Sequence, residues 1–208
     1  MNKENILKVI KAIEFDGKNR FNMSTFVGKI DRYVELSEDD YVYDKPTHIL
    51  HIEDLTTTDL FNCNSVGCIA GFATAVANDW QNPFLNLPED QKGEHISYYF
   101  EELANEFLGL TKAEGRNLYY GDEYSVWKYL LWKKDPRFSN LTLEEDNEFD
   151  EYDEYYESTY DLDLRSITPE NAITLLKMLI DEEIVLDHGY IEGPIFVKEL
   201  AKINSEKE

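Results

Sequence analysis

Apolar residues recur at Ile6, Ile10 and Ile13, with Leu7 and Val9 widening the stripe, which is the spacing of one buried helix face. The pattern predicts a helix over 3–15, ended by Gly17 and Asn19. Ser24 is placed to cap a short helix bearing Phe26, Ile30 and Tyr33. A polar, acidic loop follows over 35–46, then a brief strand at Ile49, Leu50 and Ile52. Asn64 or Ser65 is the expected N-cap of a helix reaching about Asn78. On it Gly67, Gly71 and Ala75 fall four apart on one face, and Ile69, Phe72, Ala73 and Val76 form a second, apolar face. A helix that is apolar on two sides belongs in a core.

The second half is punctuated more clearly. After a loop over 79–93, a helix over 95–107 carries Ile96, Phe100, Leu103 and Phe107 and stops at Gly109. Thr111-Lys112-Ala113-Glu114 has the form of a capping box, so a helix starts there. Residues 124–132 read as an aromatic-rich helix ended by Asp135-Pro136. Thr168-Pro169-Glu170 marks an N-cap with proline at the first helical position, and Ala172, Leu175, Leu176 and Leu179 supply that helix's inward stripe. Residues 184–186 fit a strand and 195–203 a last short helix. The expected fold is mainly α, or α+β in the sense of one or two short strands. It is a single domain made of a helical part over 2–137, an acidic Tyr-rich insertion over 138–165 and a second helical part over 166–203.

Composition changes the picture at one point, charge. The 208 residues hold 43 acids and 20 Lys+Arg, a net charge of −23, and 42% hydrophobic residues are enough for a core. Eleven of the acids fall within 144–163, together with four tyrosines and no basic residue. Such a chain is repelled by nucleic acid and by anionic membranes, so neither is an expected partner. Residues 1–5 open a charged amphipathic stretch unlike a signal peptide, which makes a cytoplasmic location the expectation.

Catalytic signatures are sparse. The sequence has no Walker A loop, dinucleotide fingerprint, G-x-S-x-G elbow or H-E-x-x-H helix. Cys63 and Cys68 supply two thiolates where a structural zinc needs four ligands, and His48, His51, His95 and His188 stand at no matching spacing. Free cysteines are usually small core residues. No catalytic residue, metal or cofactor is assigned.

Four islands resemble, in order, those of a group of small uncharacterised proteins of bacteria and their phages. They are Phe21-Asn22-Met23-x-x-Phe26, Cys63-x4-Cys68-Ile69-Ala70-Gly71-Phe72-Ala73, Leu108-Gly109-Leu110-Thr111 and Ile167-Thr168-Pro169-Glu170-x-Ala172. The group carries F-D-M-x-x-W, C-G-T-x-x-C-I-A-G-W-A, L-G-L-S and I-T-P-E-x-A. This chain differs in Asn64-Ser65 for Gly-Thr and in Phe26 and Phe72 for Trp. The resemblance implies a shared architecture and a mobile-element origin, and no reaction.

Two functional expectations follow. In the first, Glu148, Asp150, Glu151, Tyr152, Asp153, Glu154, Tyr155 and Tyr156 form a partner-binding surface. Their carboxylates imitate DNA phosphates and their tyrosines anchor the contact. The partner is then a basic surface of a nucleic-acid-handling host protein, which the chain inhibits as a DNA mimic, an anti-defence role in the host cytoplasm. Glu35, Glu38, Asp39, Asp40 and Asp44 extend the footprint. The plain alternative is that the acids only keep the chain in solution. In the second, a small nucleotide ligand sits at the helix N-terminus through Asn64, Ser65, Gly67 and Gly71, with Trp80 stacking and Arg116 supplying charge. Arg116, Lys128, Lys133, Lys134 and Arg137 make the most basic neighbourhood.

Overall fold

The computed structural model describes residues 1–23, 28–29, 65–66, 68–81, 96–120, 125–143, 162–186 and 194–205. The protein is mainly α, with seven α-helices and two small antiparallel strand pairs among these residues. Its contacts divide it into two compact units, Met1–Gly109 and Leu110–Glu208. The expected helical part over 2–137 thus runs across the unit boundary. The expected helix start at Ser24 and strand at Ile49–Ile52, as residues, lie outside the described set, apart from Gly28 and Lys29.

In the first unit, α1 (Lys3–Arg20) turns Ile6, Val9, Ile10 and Ile13 inward, each at most 3% exposed. Asn2 caps it by accepting the Asn5 N–H. The helix does not stop at Gly17; that glycine is buried within it and the C-cap is Phe21. A single glycine costs a helix only about 1 kcal/mol, less than the packing of the turn around it contributes. Gly28–Lys29 (β1) pairs antiparallel with Ser65–Val66 (β2), so these four residues are strand where helix is expected. Gly28 is a weak helix former, and β2 offers it backbone partners.

Helix α2 (Ile69–Ala77) is therefore shorter than its sequence pattern, with Cys68 and not Asn64 or Ser65 at the N-cap. It is buried from Ile69 to Ala75 and packs against α1 and above all α3 (Ile96–Leu108). The Thr74 hydroxyl, buried among these apolar groups, donates to the Phe100 carbonyl at 3.3 Å. On α3 the inward line is Phe100, Ala104 and Leu108, with Leu103 half-buried beside it. Its last carbonyls close on the start of α1: Asn2 N–H donates to Leu108 O at 2.6 Å and Asn5 Nδ2 to Phe107 O at 2.7 Å.

The second unit begins with α4 (Lys112–Tyr119), whose Thr111–Glu114 capping box has both reciprocal bonds. Next comes α5 (Val126–Trp132), capped by Ser125. The buried Trp127 donates its indole N–H to Leu118 O at 2.8 Å, tying α5 to α4, and meets Phe138 of a 3-10 turn (Pro136–Phe138) edge-on. A second 3-10 turn (Leu164–Ser166) leads into α6 (Pro169–Ile180). Its expected stripe of Ala172, Leu175, Leu176 and Leu179 is buried. Ile184–Val185 (β3) pairs with Ile195–Phe196 (β4), and α7 (Val197–Ser205) follows at once.

Three helices stop through left-handed residues other than glycine. Asp79 and Trp80 after α2 adopt φ of 50° and 64°, Lys134 after α5 adopts 52° and Glu182 after α6 adopts 56°. The same six-residue closure forms at each: Trp80 N–H to Ala75 O, Asp135 N–H to Leu130 O, Glu183 N–H to Met178 O. Only α3 ends on glycine, Gly109 at φ 65°, and a Cβ there would meet the Asn2 nitrogen at 3.0 Å. Gly109→Ala combines a left-handed penalty with that clash. It is expected to destabilise the first unit by about 1–3 kcal/mol. The urea midpoint of the helical circular dichroism reads the loss, and an unchanged midpoint would show that the α1–α3 junction yields freely.

Candidate functional site

Every residue expected to bind a partner through 148–156 lies outside the described residues, as do Asn64, Gly67, Cys63, the four histidines and the second acidic group over 35–44. The described chain does reach both ends of the acidic run. Leu143 and Leu162 form an antiparallel bridge. The Asp163 N–H donates to Thr142 O at 2.9 Å, and the Thr142 N–H donates to Ser166 Oγ at 3.2 Å. Ser166 Oγ in turn donates to Asp163 O at 2.6 Å. Leu141 and Leu162 are 4% and 3% exposed and root the two feet in the core.

A polar network behind the feet fixes them to α6. Asn171, third residue of the helix and 4% exposed, closes the N-terminal box: its Oδ1 accepts the Thr168 N–H at 3.0 Å while its own N–H reaches Thr168 Oγ1 at 3.2 Å. The same side chain exchanges two bonds with Asn140, at 2.9 and 3.1 Å, and donates to Arg137 O. Asn140 Nδ2 also donates to Ser166 O at 2.7 Å. The two feet and the helix start are thus one continuous hydrogen-bonded base.

Three cations around this base form ion pairs among the described residues. Arg137 forks between Asp135 and Glu183, each held at 2.7 Å. Its hydrogen bonds pull both carboxyls below their ordinary 3.8 and 4.5, and they raise the guanidinium in turn. Arg165 pairs with Asp163, so one of the eleven acids is spent internally. Lys133 bonds Glu199 at 3.0 Å, and Tyr129 donates to Glu199 at 2.9 Å while accepting the Phe196 N–H. Burial, reinforced by Glu199, pushes the Tyr129 phenol up to about 12. Lys128 is buried, its ammonium 5.8 Å from the Trp132 ring.

Of the residues expected to hold a nucleotide, Ser65, Gly71, Trp80 and Arg116 are among those described. Ser65 is in β2, ahead of the helix start it is meant to form. Gly71 is buried inside α2. Trp80 packs edge-on against Phe72, which also meets Phe21. Arg116 is on α4, in the other unit. A shallow depression of about 210 Å³ beside Leu131, Lys134, Asp135, Phe138 and Ser139 is smaller than the ~300 Å³ at which ligand pockets begin. The Cys68 sulfur faces the N–H groups of Ala70 and Gly71 at the head of α2, a setting that favours a thiolate. Burial outweighs it and pushes the thiol up to about 11, so Cys68 stays protonated and unreactive. Among the described residues no group of three or more His, Cys, Asp or Glu is placed to hold a metal, and no helix is long and apolar enough to cross a membrane.

No protein-family model, curated protein or solved structure matches the chain.

The base, which sequence reading missed, was signalled only by Asn171 at the third position after Thr168, where a capping box usually has Glu or Gln. Its ion pairs set an acid limit. Asp135 and Glu183 have folded-state values below their unfolded ones, so their contribution is full at neutral pH and is lost as pH falls below about 4.5 through those values. Arg137→Gln is expected to cost about 1 kcal/mol at neutral pH, the size of a partly exposed forked pair. The difference from the parent shrinks as pH falls below about 4.5, read from urea midpoints across the range. A gap that stays constant with pH assigns the effect of Arg137 to packing instead of charge.

Proposed function

We propose that the chain is a non-enzymatic binding protein whose acidic run occupies a basic, nucleic-acid-binding surface of a host protein and blocks it as a DNA mimic. The resemblance of its sequence islands favours a phage or mobile-element origin, with the host cytoplasm as the place of action. The single observation that carries this reading is the base: the run leaves and re-enters the fold at one pinned point.

Closure matters for two reasons. The eighteen residues between Leu143 and Leu162 hold ten acids. A chain that must return to its start reaches at most half its contour, ~30 Å. Ten carboxylates within that reach amount to one per ~3 Å, within twofold of the ~1.7 Å per charge of duplex DNA. An untethered tail of the same composition spreads its charges over twice the distance. Closure also removes about 2.5 kcal/mol of chain entropy before any partner arrives. Tyr152, Tyr155, Tyr156 and Tyr160 supply flat apolar area that a solubilising sequence does not need. Three cations near the base, Arg137, Arg165 and Lys133, pair with Asp135 and Glu183, with Asp163 and with Glu199.

The test is competition. The full chain is used to capture a bacterial protein at about 50 mM salt, and duplex DNA is then titrated against the complex. DNA is expected to displace the chain, and affinity to fall more than tenfold by about 200 mM salt. The variant E148Q/D150N/E151Q/D153N/E154Q is expected to lose binding. The variant N140A/S166A, which keeps every acid and loosens the base, binds several-fold more weakly. Normal binding by the five-site variant, or a complex that DNA leaves intact, ends the mimic reading.

A further inference from the structure

We propose that the outer face of α1 is a docking site for the acidic, aromatic run of a second copy of this chain. The inference concerns a different surface from the base described above and goes beyond the mimic reading.

The inward side of α1 is filled by Ile6, Val9, Ile10 and Ile13. On the opposite side Leu7, Lys11, Phe15 and Lys18 follow one another at spacings of four, four and three, which stacks them in a stripe ~16 Å long. Leu7 is 46% and Phe15 92% exposed, so the phenyl ring stands almost wholly in water. The two lysines of the stripe are exposed, and among the described residues neither makes an ion pair or a side-chain hydrogen bond. Other cations of α1 are matched: Lys8 to Glu4 at 3.1 Å and Arg20 to Asp16 at 3.0 Å. The helix is also an electrostatic exception. Residues 1–20 carry five cations and three acids, a net +2, and the remaining residues carry −25.

A ligand for this stripe must offer carboxylates to Lys11 and Lys18 and apolar or aromatic groups to Phe15 and Leu7. The sequence Glu148-Phe149-Asp150-Glu151-Tyr152-Asp153-Glu154-Tyr155-Tyr156 has that composition, with acids and rings interleaved and no cation to oppose the lysines. Each chain then carries one socket and one plug, and two chains exchanging plugs close a twofold dimer. Repulsion between two molecules of charge −23 is screened beyond ~8 Å at physiological salt, while the contact pairs are closer than that.

Sedimentation of the full chain at about 150 mM salt, from about 5 to 200 µM, tests this. The mass is expected to rise from 24.4 kDa towards twice that value. K11E/K18E and E148Q/D150N/E151Q/D153N/E154Q each remain monomeric alone, and an equimolar mixture of the two forms a one-to-one complex, since one supplies the plug and the other the socket. F15S, which alters no charge, weakens association about tenfold and keeps the test open should charge reversal disturb the helix. A parent chain that is monomeric at 200 µM overturns the proposal, whether its stripe then serves an external acidic protein or its own run. Unchanged association of K11E/K18E and F15S, both folded by circular dichroism, overturns it as well. K11E/K18E retains the acidic run, so it leaves DNA-competitive binding intact, and the two proposals fail separately.

Discussion

The second unit depends on one buried amide. Asn171 is asked to do what a glutamate at its position does in an ordinary capping box, and more. Its oxygen receives the Thr168 N–H; its nitrogen supplies two donors, to Asn140 Oδ1 and Arg137 O, which no carboxylate has. Substituting glutamate would keep the cap and lose the base. At 4% exposure each bond left unmade costs the desolvation of a buried polar group, about 1–3 kcal/mol. The helix start, the 3-10 turn that follows α5 and the feet of the acidic run are therefore fixed together or not at all.

The Arg137 fork works on the same elements from the other side. Asp135 and Glu183 each directly follow a left-handed residue, Lys134 and Glu182, at the stop of α5 and α6. Those stops turn the chain so that both carboxylates meet one guanidinium. Left-handed backbone costs a non-glycine residue about 1–2 kcal/mol, and the closure bonds and the fork offset that cost. In a chain with more than twice as many acids as cations, such placement decides where the excess lies. Arg137 and Lys133 are paired with acids outside the run, and Arg165 with Asp163 at its edge.

Much of this was legible in the residues. Thr111 with Glu114, Thr168 with Pro169 and Gly109 each act through a local bond or a backbone freedom that the residue itself carries, and each marks its helix end. The inward stripes of α1 and α6 were legible because helical period is a property of the chain alone. The errors share a cause. Gly17 stays helical, and Cys68 caps α2 without a side-chain bond, because tertiary burial outweighs local preference there. Asn64 and Ser65 are good caps by type, yet β1 claims Ser65 as a strand partner from 36 residues away. The stop of α5 was marked by Asp135-Pro136 just beyond it, whereas Glu182 carries no mark of a stop at all. Of the candidate site, the acidic composition was evident; that its two ends meet was not, since Leu143 and Leu162 are unremarkable until they are paired.

Closure and charge oppose each other in this molecule. Two carboxylates 6 Å apart in water repel by about 0.7 kcal/mol, and ten confined within ~30 Å make many such pairs. That repulsion acts against the pairing of the feet at Leu143 and Leu162. The hydrogen-bonded base resists it with bonds that involve no acid of the run except Asp163, and so does not neutralise what it restrains. Under the mimic proposal a cationic partner relieves that repulsion on binding, and the relief adds to the affinity.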